Sequence, residues 1–326
     1  MYVNWNLRGI EDMEKNNKTQ RDAFWDRIYE IAKINRDIII ISADMGAPAL
    51  DKIRRELPSQ FINVGIAEQN AITLAAGLTM TGKKVFAYAI APFITLRCLE
   101  QIRVECSIMN LPITIVGVGG GFGYEDSGPT HHIIEDIAIL RSMPNIMINN
   151  ITDIVMARAF ADISCSLRQP NYIRLDRQVL PIIYTEENNF DKGLSVIRKG
   201  KDFYIISTGC MTSIAKDISE ELSKEQKNIG LIDLYTLPIN ENELIETIKE
   251  AKKVITIEEH FLPGGFGSAI CEVLMDNNIN ISVKRIGLSP KIGYSYVYGG
   301  RDEIRKHYGT DKASMIKQIK GFLNEY

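Results

Sequence analysis

The chain has 326 residues, 45% of them hydrophobic, with 38 Lys and Arg against 41 Asp and Glu for a net charge of -3. That length suits two domains, the apolar fraction supports ordinary cores, and the balanced charge gives nucleic acid or an anionic membrane little to hold. Five scattered cysteines without a C-x-x-C pair suggest neither a disulfide framework nor a zinc site, and a polar start with no membrane-length apolar run leads us to expect a cytoplasmic α/β protein.

The first 18 residues lack apolar periodicity and read as a flexible or docking arm. From Thr19 helical stretches such as RDAFWDRIYEIAKIN alternate with short apolar runs: DIIIIS (37–42), KVFAYAIA (84–91), ITIVGVGG (113–120), NIMIN (145–149) and NYIRL (171–175). Continuous β-branched runs separated by helices predict strands of a parallel sheet covered on both faces, with ligands gathering beyond the strands' carboxyl ends. The polar stretch at 181–202 predicts a domain boundary. A second alternation follows, with strands FYIIS, GLIDL, KVITIEE and SVKRIGL and helices through IAKDISEELSK, LIETIKEAK and GSAICEVLMD. The expectation is α/β architecture in two domains, 19–185 and 193–326, each a mainly parallel sheet flanked by helices.

In FINVGIAEQNAITLAAGL (61–78), Glu68 falls in the first turn of a helix with an Ala/Leu face. It either favours the positive end of the helix dipole or, held among apolar neighbours, serves as a protonated hydrogen-bond donor; local pattern leans to the former. In GVGGGFGYEDSGPTHHIIEDIAILRSMPN (117–145) a strand runs into a loop with five glycines, two acids and the adjacent His131 and His132, before a helix through IIEDIAIL. Glycines there let backbone approach a ligand closely, while capping histidines on a surface loop are the plainer reading. Adjacent histidines point apart, so no metal site is expected in the chain. Arg21, Arg97 and Arg177, each near the start of a helix or the end of a strand, could meet an anionic substrate, and Asp44 follows the strand IIIIS. PGGFGS (263–268) lacks the phosphate-loop spacing and reads as a tight strand–helix turn.

Five ordered blocks, FINVGIAEQNAITLAAGL, PFITLRCLEQIR, SGPTHHIIEDIAILRSMPN, IRLDRQVLP and EEHFLPGGFGSAICEVL, resemble the transketolase family of thiamine diphosphate enzymes. The resemblance runs from about Thr19 to the C-terminus and covers a pyrimidine-binding and a C-terminal domain. It implies that Glu68 hydrogen-bonds the aminopyrimidine of thiamine diphosphate and promotes removal of the thiazolium proton. It implies that Phe93 packs on the pyrimidine, that Asp44 and Met45 lie near the thiazolium, and that His131 meets donor hydroxyl and carbonyl groups. Arg177 and Arg21 match substrate-phosphate ligands, Arg97 is similar to an arginine of deoxyxylulose-phosphate synthases, and His132 joins the substrate side. Arginine suits phosphate because its planar fork makes bidentate, charge-assisted bonds.

Ser127 stands where the family has an Asp before G-P-T-H, and Asp126 reaches that place only with one inserted residue. No G-D-G occurs in the chain, so the diphosphate and Mg²⁺ ligands are expected from a partner, an N-terminal transketolase subunit, in a heterotetramer. The implied reaction moves a two-carbon ketol unit from a ketose, often phosphorylated, to an aldose. The alternatives are the β subunit of a 2-oxo-acid dehydrogenase, a deoxyxylulose-phosphate-synthase-like enzyme, and a non-catalytic relative that keeps the fold.

Overall fold

The structure is a computed structural model, and it describes residues 18–224 and 229–324. The arm read at residues 1–18 therefore lies, but for Lys18, outside the described residues.

The first helix, α1 (Gln20–Ile34), starts at Thr19, whose side chain accepts from the Asp22 N–H, and buries Ala23, Phe24, Trp25, Ile28 and Ala32. Their three- and four-residue spacing makes the inward stripe of an amphipathic helix. Seven strands form the first sheet: β1 (Ile38–Ser42), β2 (Phe61–Asn63), β3 (Lys84–Ile90), β4 (Thr114–Val118), β5 (Met147–Asn150), β6 (Asn171–Leu175) and β10 (Thr236–Leu237). Their order across the sheet is β10-β5-β6-β4-β3-β1-β2. All pair in parallel except β10. Every residue of β1, β4 and β6 is buried, as expected of strands covered by helices on both faces. The covering helices include α2 (Asp51–Glu56), α3 (Glu68–Met80), α4 (Asp136–Leu140) and α5 (Ile154–Ser166).

The second sheet holds β7 (Leu194–Arg198), β8 (Phe203–Ser207), β9 (Ile229–Leu234), β11 (Lys253–Phe261) and β12 (Ser282–Leu288), with β7 alone antiparallel. Its order is β12-β11-β8-β9-β7. Helices α6 (Met211–Ser223), α7 (Glu241–Ile248), α8 (Phe266–Asp276), α9 (Arg301–Tyr308) and α10 (Lys312–Asn324) complete this half.

Three local expectations give way. The polar stretch 181–202 contains a strand, β7, whose residues after Leu194 are half-buried or, at Val196, exposed, and so lack the apolar run that marks the central strands. The two-residue β10 leaves the second domain to pair with β5, Thr236 opposite Asn149 and Leu237 opposite Ile148. The helix expected through 133–140 begins only at Asp136, because the backbone of Ile133 exchanges two 3.0 Å hydrogen bonds with Gly121 instead.

Apolar burial continues from one sheet to the other: Ile148, Leu234 and Ile270 belong to one packed cluster. A buried polar knot ties the halves as well. Asp233 on β9 accepts from Thr152 (2.6 Å), Tyr184 (2.7 Å) and Thr212 (2.9 Å). Burial pushes its carboxyl up to about 7, against the pull of these three hydroxyl donors.

Candidate functional site

The carboxyl ends of β6, β4, β3, β1 and β2 lie side by side, and the loops leaving them carry most of the residues singled out above. Glu68 opens α3, just beyond β2, with its side chain buried at 5% exposure. Arg97 Nη1 donates to Glu68 Oε2 at 2.7 Å, and the same guanidinium lies over the Phe93 ring, 4.3 Å from its centroid. A cation therefore stands where wholly apolar surroundings were expected for Glu68. Phe93 sits on the short helix Ala91–Ile94 that follows β3, and Pro92 at the start of that helix sets its turn. Gln69 Nε2 donates to the Arg97 carbonyl at 3.1 Å, pinning this loop to α3.

His131 meets Phe93 edge to face, with ring centroids 5.2 Å apart, and its Nδ1 is 3.0 Å from Thr130 Oγ1. Glu68, Arg97, Phe93 and His131 thus form one connected row. Asp44 and Met45 lie beside it at the end of β1. The Asp44 N–H donates to the Gly65 carbonyl at 3.0 Å, and Asn63 donates to Asp44 Oδ1 at 3.3 Å, which fixes the turn leading into Glu68.

A second group gathers at the other end. Gln20 is buried and accepts from the Asp176 N–H at 2.7 Å, which brings the start of α1, and Arg21 with it, beside the β6 loop that holds Arg177. Arg21 pairs with Asp22 at 2.7 Å. Arg177 lies over the ring of Tyr124, 4.7 Å from its centroid, and Tyr124 stands 6.0 Å from His131. Burial pushes the Tyr124 phenol up, while Arg177 and Arg21 pull the other way. Tyr124 was not singled out from the sequence, although it stands inside the glycine loop; its signal was an aromatic residue among glycines. A Cβ on Gly119, at φ +95°, would lie 2.2 Å from the Tyr124 ring, so the ring rests directly on that backbone.

His132 stands apart from both groups. It is 4% exposed, faces Phe122 at 5.1 Å, and burial holds its imidazole below the ordinary value. It faces into the protein, away from the ring of His131. The Gly121–Ile133 pairing holds the backbone next to His132 against the glycine loop, while His131 belongs to the turn closed on the Gly128 carbonyl.

A buried ionic cluster behind the glycine loop was not anticipated from the sequence. Glu259 on β11 accepts from Arg301 Nη2 (2.6 Å), Arg305 Nε (2.8 Å) and the Phe122 N–H (2.9 Å). Burial opposes its charge, but the two guanidinium groups win and hold the carboxyl well below the usual range. Its neighbour Glu258 accepts from the N–H groups of Phe266 (2.7 Å) and Gly267 (2.9 Å), so PGGFGS is a tight turn into α8 capped by a carboxyl from the preceding strand. Burial pushes that carboxyl up to about 8 despite the two donors. Among the described residues no group of three or more His, Cys, Asp and Glu is arranged to hold a metal ion, and no helix is long and apolar enough to cross a membrane.

The chain matches the transketolase pyrimidine-binding domain over residues 16–182 and the transketolase C-terminal domain over residues 193–315. An apulose-4-phosphate transketolase subunit from Phocaeicola vulgatus is 32% identical over 310 residues, covering 94% of this chain and 97% of that protein. A 1-deoxy-D-xylulose-5-phosphate synthase of Halothermothrix orenii is 30% identical over 97% of this chain but only 50% of its own length. Among solved structures, a split-gene transketolase described as an inactive beta4 tetramer superposes with a TM-score of 0.83 at 29% identity, covering 93% of this chain and 97% of that one. Two domain matches across most of the chain, on the two-sheet architecture described above, lead to one conclusion: the chain belongs to the transketolase family.

Proposed function

We propose that this chain is the C-terminal subunit of a two-subunit transketolase that moves a two-carbon ketol unit from an anionic ketose to an aldose. The observation that carries this reading is the row Glu68–Arg97–Phe93–His131, with Arg21 and Arg177 gathered around Tyr124 at its far end. The family depends on thiamine diphosphate, and the residues present fit the pyrimidine end of that group: a buried carboxyl beside an aromatic ring, both within reach of one exposed arginine. Glu68 and Phe93 would hold it, with Asp44 and Met45 alongside. When bound, the cofactor supplies the electron sink for breaking and making a carbon–carbon bond.

The chain's own residues then orient the substrate and handle its protons. With Nδ1 engaged by Thr130, His131 has Nε2 to give or take a proton at a donor hydroxyl. Arg177 offers a bidentate contact to an anionic end group, Arg21 adds positive charge beside it while its Nε and Nη2 hold Asp22, and the Tyr124 ring carries the Arg177 fork. The apulose-4-phosphate relative acts on a phosphorylated sugar by its name, which supports an anionic donor or acceptor.

The diphosphate and Mg²⁺ would be held by a partner subunit, since the chain carries no G-D-G segment and spans only half of its deoxyxylulose-phosphate synthase relative. We expect a heterotetramer with two such sites, in the cytoplasm. The test combines this chain with a companion subunit carrying G-D-G and N-N, thiamine diphosphate and Mg²⁺, and follows ketol transfer between sugar phosphates. Transfer that is lost with Glu68→Ala supports the reading. Equal activity of the two complexes, or pyruvate consumption in place of ketol transfer, overturns it.

A further inference from the structure

We propose that Arg301 and Glu259, both in the second domain, are positioning residues that set the spacing between His131 and Arg177 and thereby the length of anionic sugar the site accepts. The inference rests on the ketol-transfer reading and extends it to a domain that supplies none of the site residues named so far.

Arg301 is the first residue of α9 and is 5% exposed. Its guanidinium serves two loops of the first domain at once. Nη1 is 2.7 Å from Asp176 and 3.1 Å from Gln178 Oε1, the residues on either side of Arg177. Nη2 reaches the Gly120 carbonyl at 3.3 Å in the glycine loop. Glu259 neutralises this cation at 2.6 Å and accepts the Phe122 N–H, so the pair grips the glycine loop by a carbonyl and an amide. The fit leaves no slack: a Cβ on Gly121, at φ +60°, would lie 2.1 Å from Glu259 Oε2. Gln178 closes the ring by donating to Glu125, beside Tyr124.

A buried ion pair serving stability alone needs only two charges. Here one fork binds acceptors on two loops that are far apart in sequence, and those loops carry Arg177 on one side and Tyr124 and His131 on the other. A guanidinium suits this because its donors diverge in one rigid plane. Lysine can keep the charge pair but cannot hold three acceptors in a fixed plane.

The test uses Arg301→Lys and Arg301→Met in the full chain, with Gly121→Ala as a variant that disturbs the same seat from the loop side. Hydrogen exchange of the chain alone is expected to rise in 119–131 and 176–178 while β1, β3 and α3 keep their protection. In the reconstituted complex, KM for a ketose phosphate is expected to rise roughly tenfold, kcat to change less than about threefold, and thiamine diphosphate affinity to hold, with Lys less impaired than Met. Unchanged exchange in the two loops overturns the proposal, as does a rise spread through the whole chain or a fall in kcat and cofactor affinity alongside KM. If Met fails to fold, Lys and Gly121→Ala decide. Exchange is read without a partner, so absence of ketol transfer by the wild-type complex refutes the transferase reading, while the exchange pattern still decides whether Arg301 sets the loops.

Discussion

Arg97 and Glu68 are joined by a 2.7 Å ion pair in which the carboxyl is buried and the guanidinium is 42% exposed. The same guanidinium covers the Phe93 ring, so one side chain touches both groups assigned to the pyrimidine. The buried carboxyl depends on its partner while the arginine has solvent to turn to, so the pair is asymmetric. Arg97→Ala is expected to leave the fold intact and cost about 1 kcal/mol, because the exposed partner's share is screened by water. Urea denaturation of the isolated chain checks this.

Glu68→Gln keeps the size and one carbonyl acceptor for Arg97 but removes the ionisable proton. Ketol transfer by the reconstituted complex is expected to fall by about 10²-fold or more, with the melting temperature of the chain shifted by only a few degrees. Initial rates beside thermal melts separate the two effects.

Arg177→Ala and Arg21→Ala remove positive charge from the end of the site proposed to meet the anionic group. Each is expected to raise KM for a phosphorylated donor by about tenfold or more, while an unphosphorylated ketose of the same length changes little. Tyr124→Phe keeps the ring under Arg177 and isolates the hydroxyl. Paired kinetics with the two donors test all three.

Asp153 caps α5 through the Met156 N–H at 2.9 Å, and its other oxygen accepts from Ile183 (2.7 Å) and Tyr184 (2.8 Å) on the segment leading to the second domain. Asp153→Ala removes a cap and orphans two more donors, the buried Tyr184 N–H and the half-buried Ile183 N–H, for an expected loss of about 3 kcal/mol. A fall of that size in denaturant unfolding, much more than an exposed cap would give, is the outcome to look for.

The buried carboxyls act on stability in opposite directions. Asp233, pushed up to about 7, and Glu258, pushed up to about 8, bind protons in the folded state that the unfolded chain releases at lower pH. Their contribution is complete below about pH 4 and is lost as pH rises toward 7 to 8. Glu259, held low by Arg301 and Arg305, contributes above its unfolded value and loses that contribution as pH falls below it. Thermal melts from pH 4 to 8 should therefore flatten in Asp233→Asn, which has no proton to release.

Much of the architecture was legible because a strand covered on both faces must be an unbroken apolar run. Ile38–Ser42 and Thr114–Val118 are nearly such runs, short and rich in β-branched residues, which favours strand over helix. Leu194–Arg198 was hidden because an edge strand needs burial on fewer positions, and Thr236–Leu237 because its partner lies in the other domain. On the site, Glu68, Phe93 and His131 follow strand ends close in sequence to the glycines and helix starts that mark them. Arg301 carried no local sign, since an arginine at a helix start reads as solvated and its partner Glu259 is 42 residues away. The clue lay in β11, where KVITIEEHF carries Glu258, Glu259 and His260 inside a strand that is otherwise apolar and buried.

The pairing of Thr236–Leu237 with β5 gives the two domains a shared border rather than a hinge. Producing residues up to 185 without the second domain would strip the outer cover from β5 and leave its hydrogen-bonding groups facing water, a ready template for self-association. The halves thus resist being moved about as separate modules: swapping in the second domain of a relative must also supply a matching strand for its neighbour's sheet.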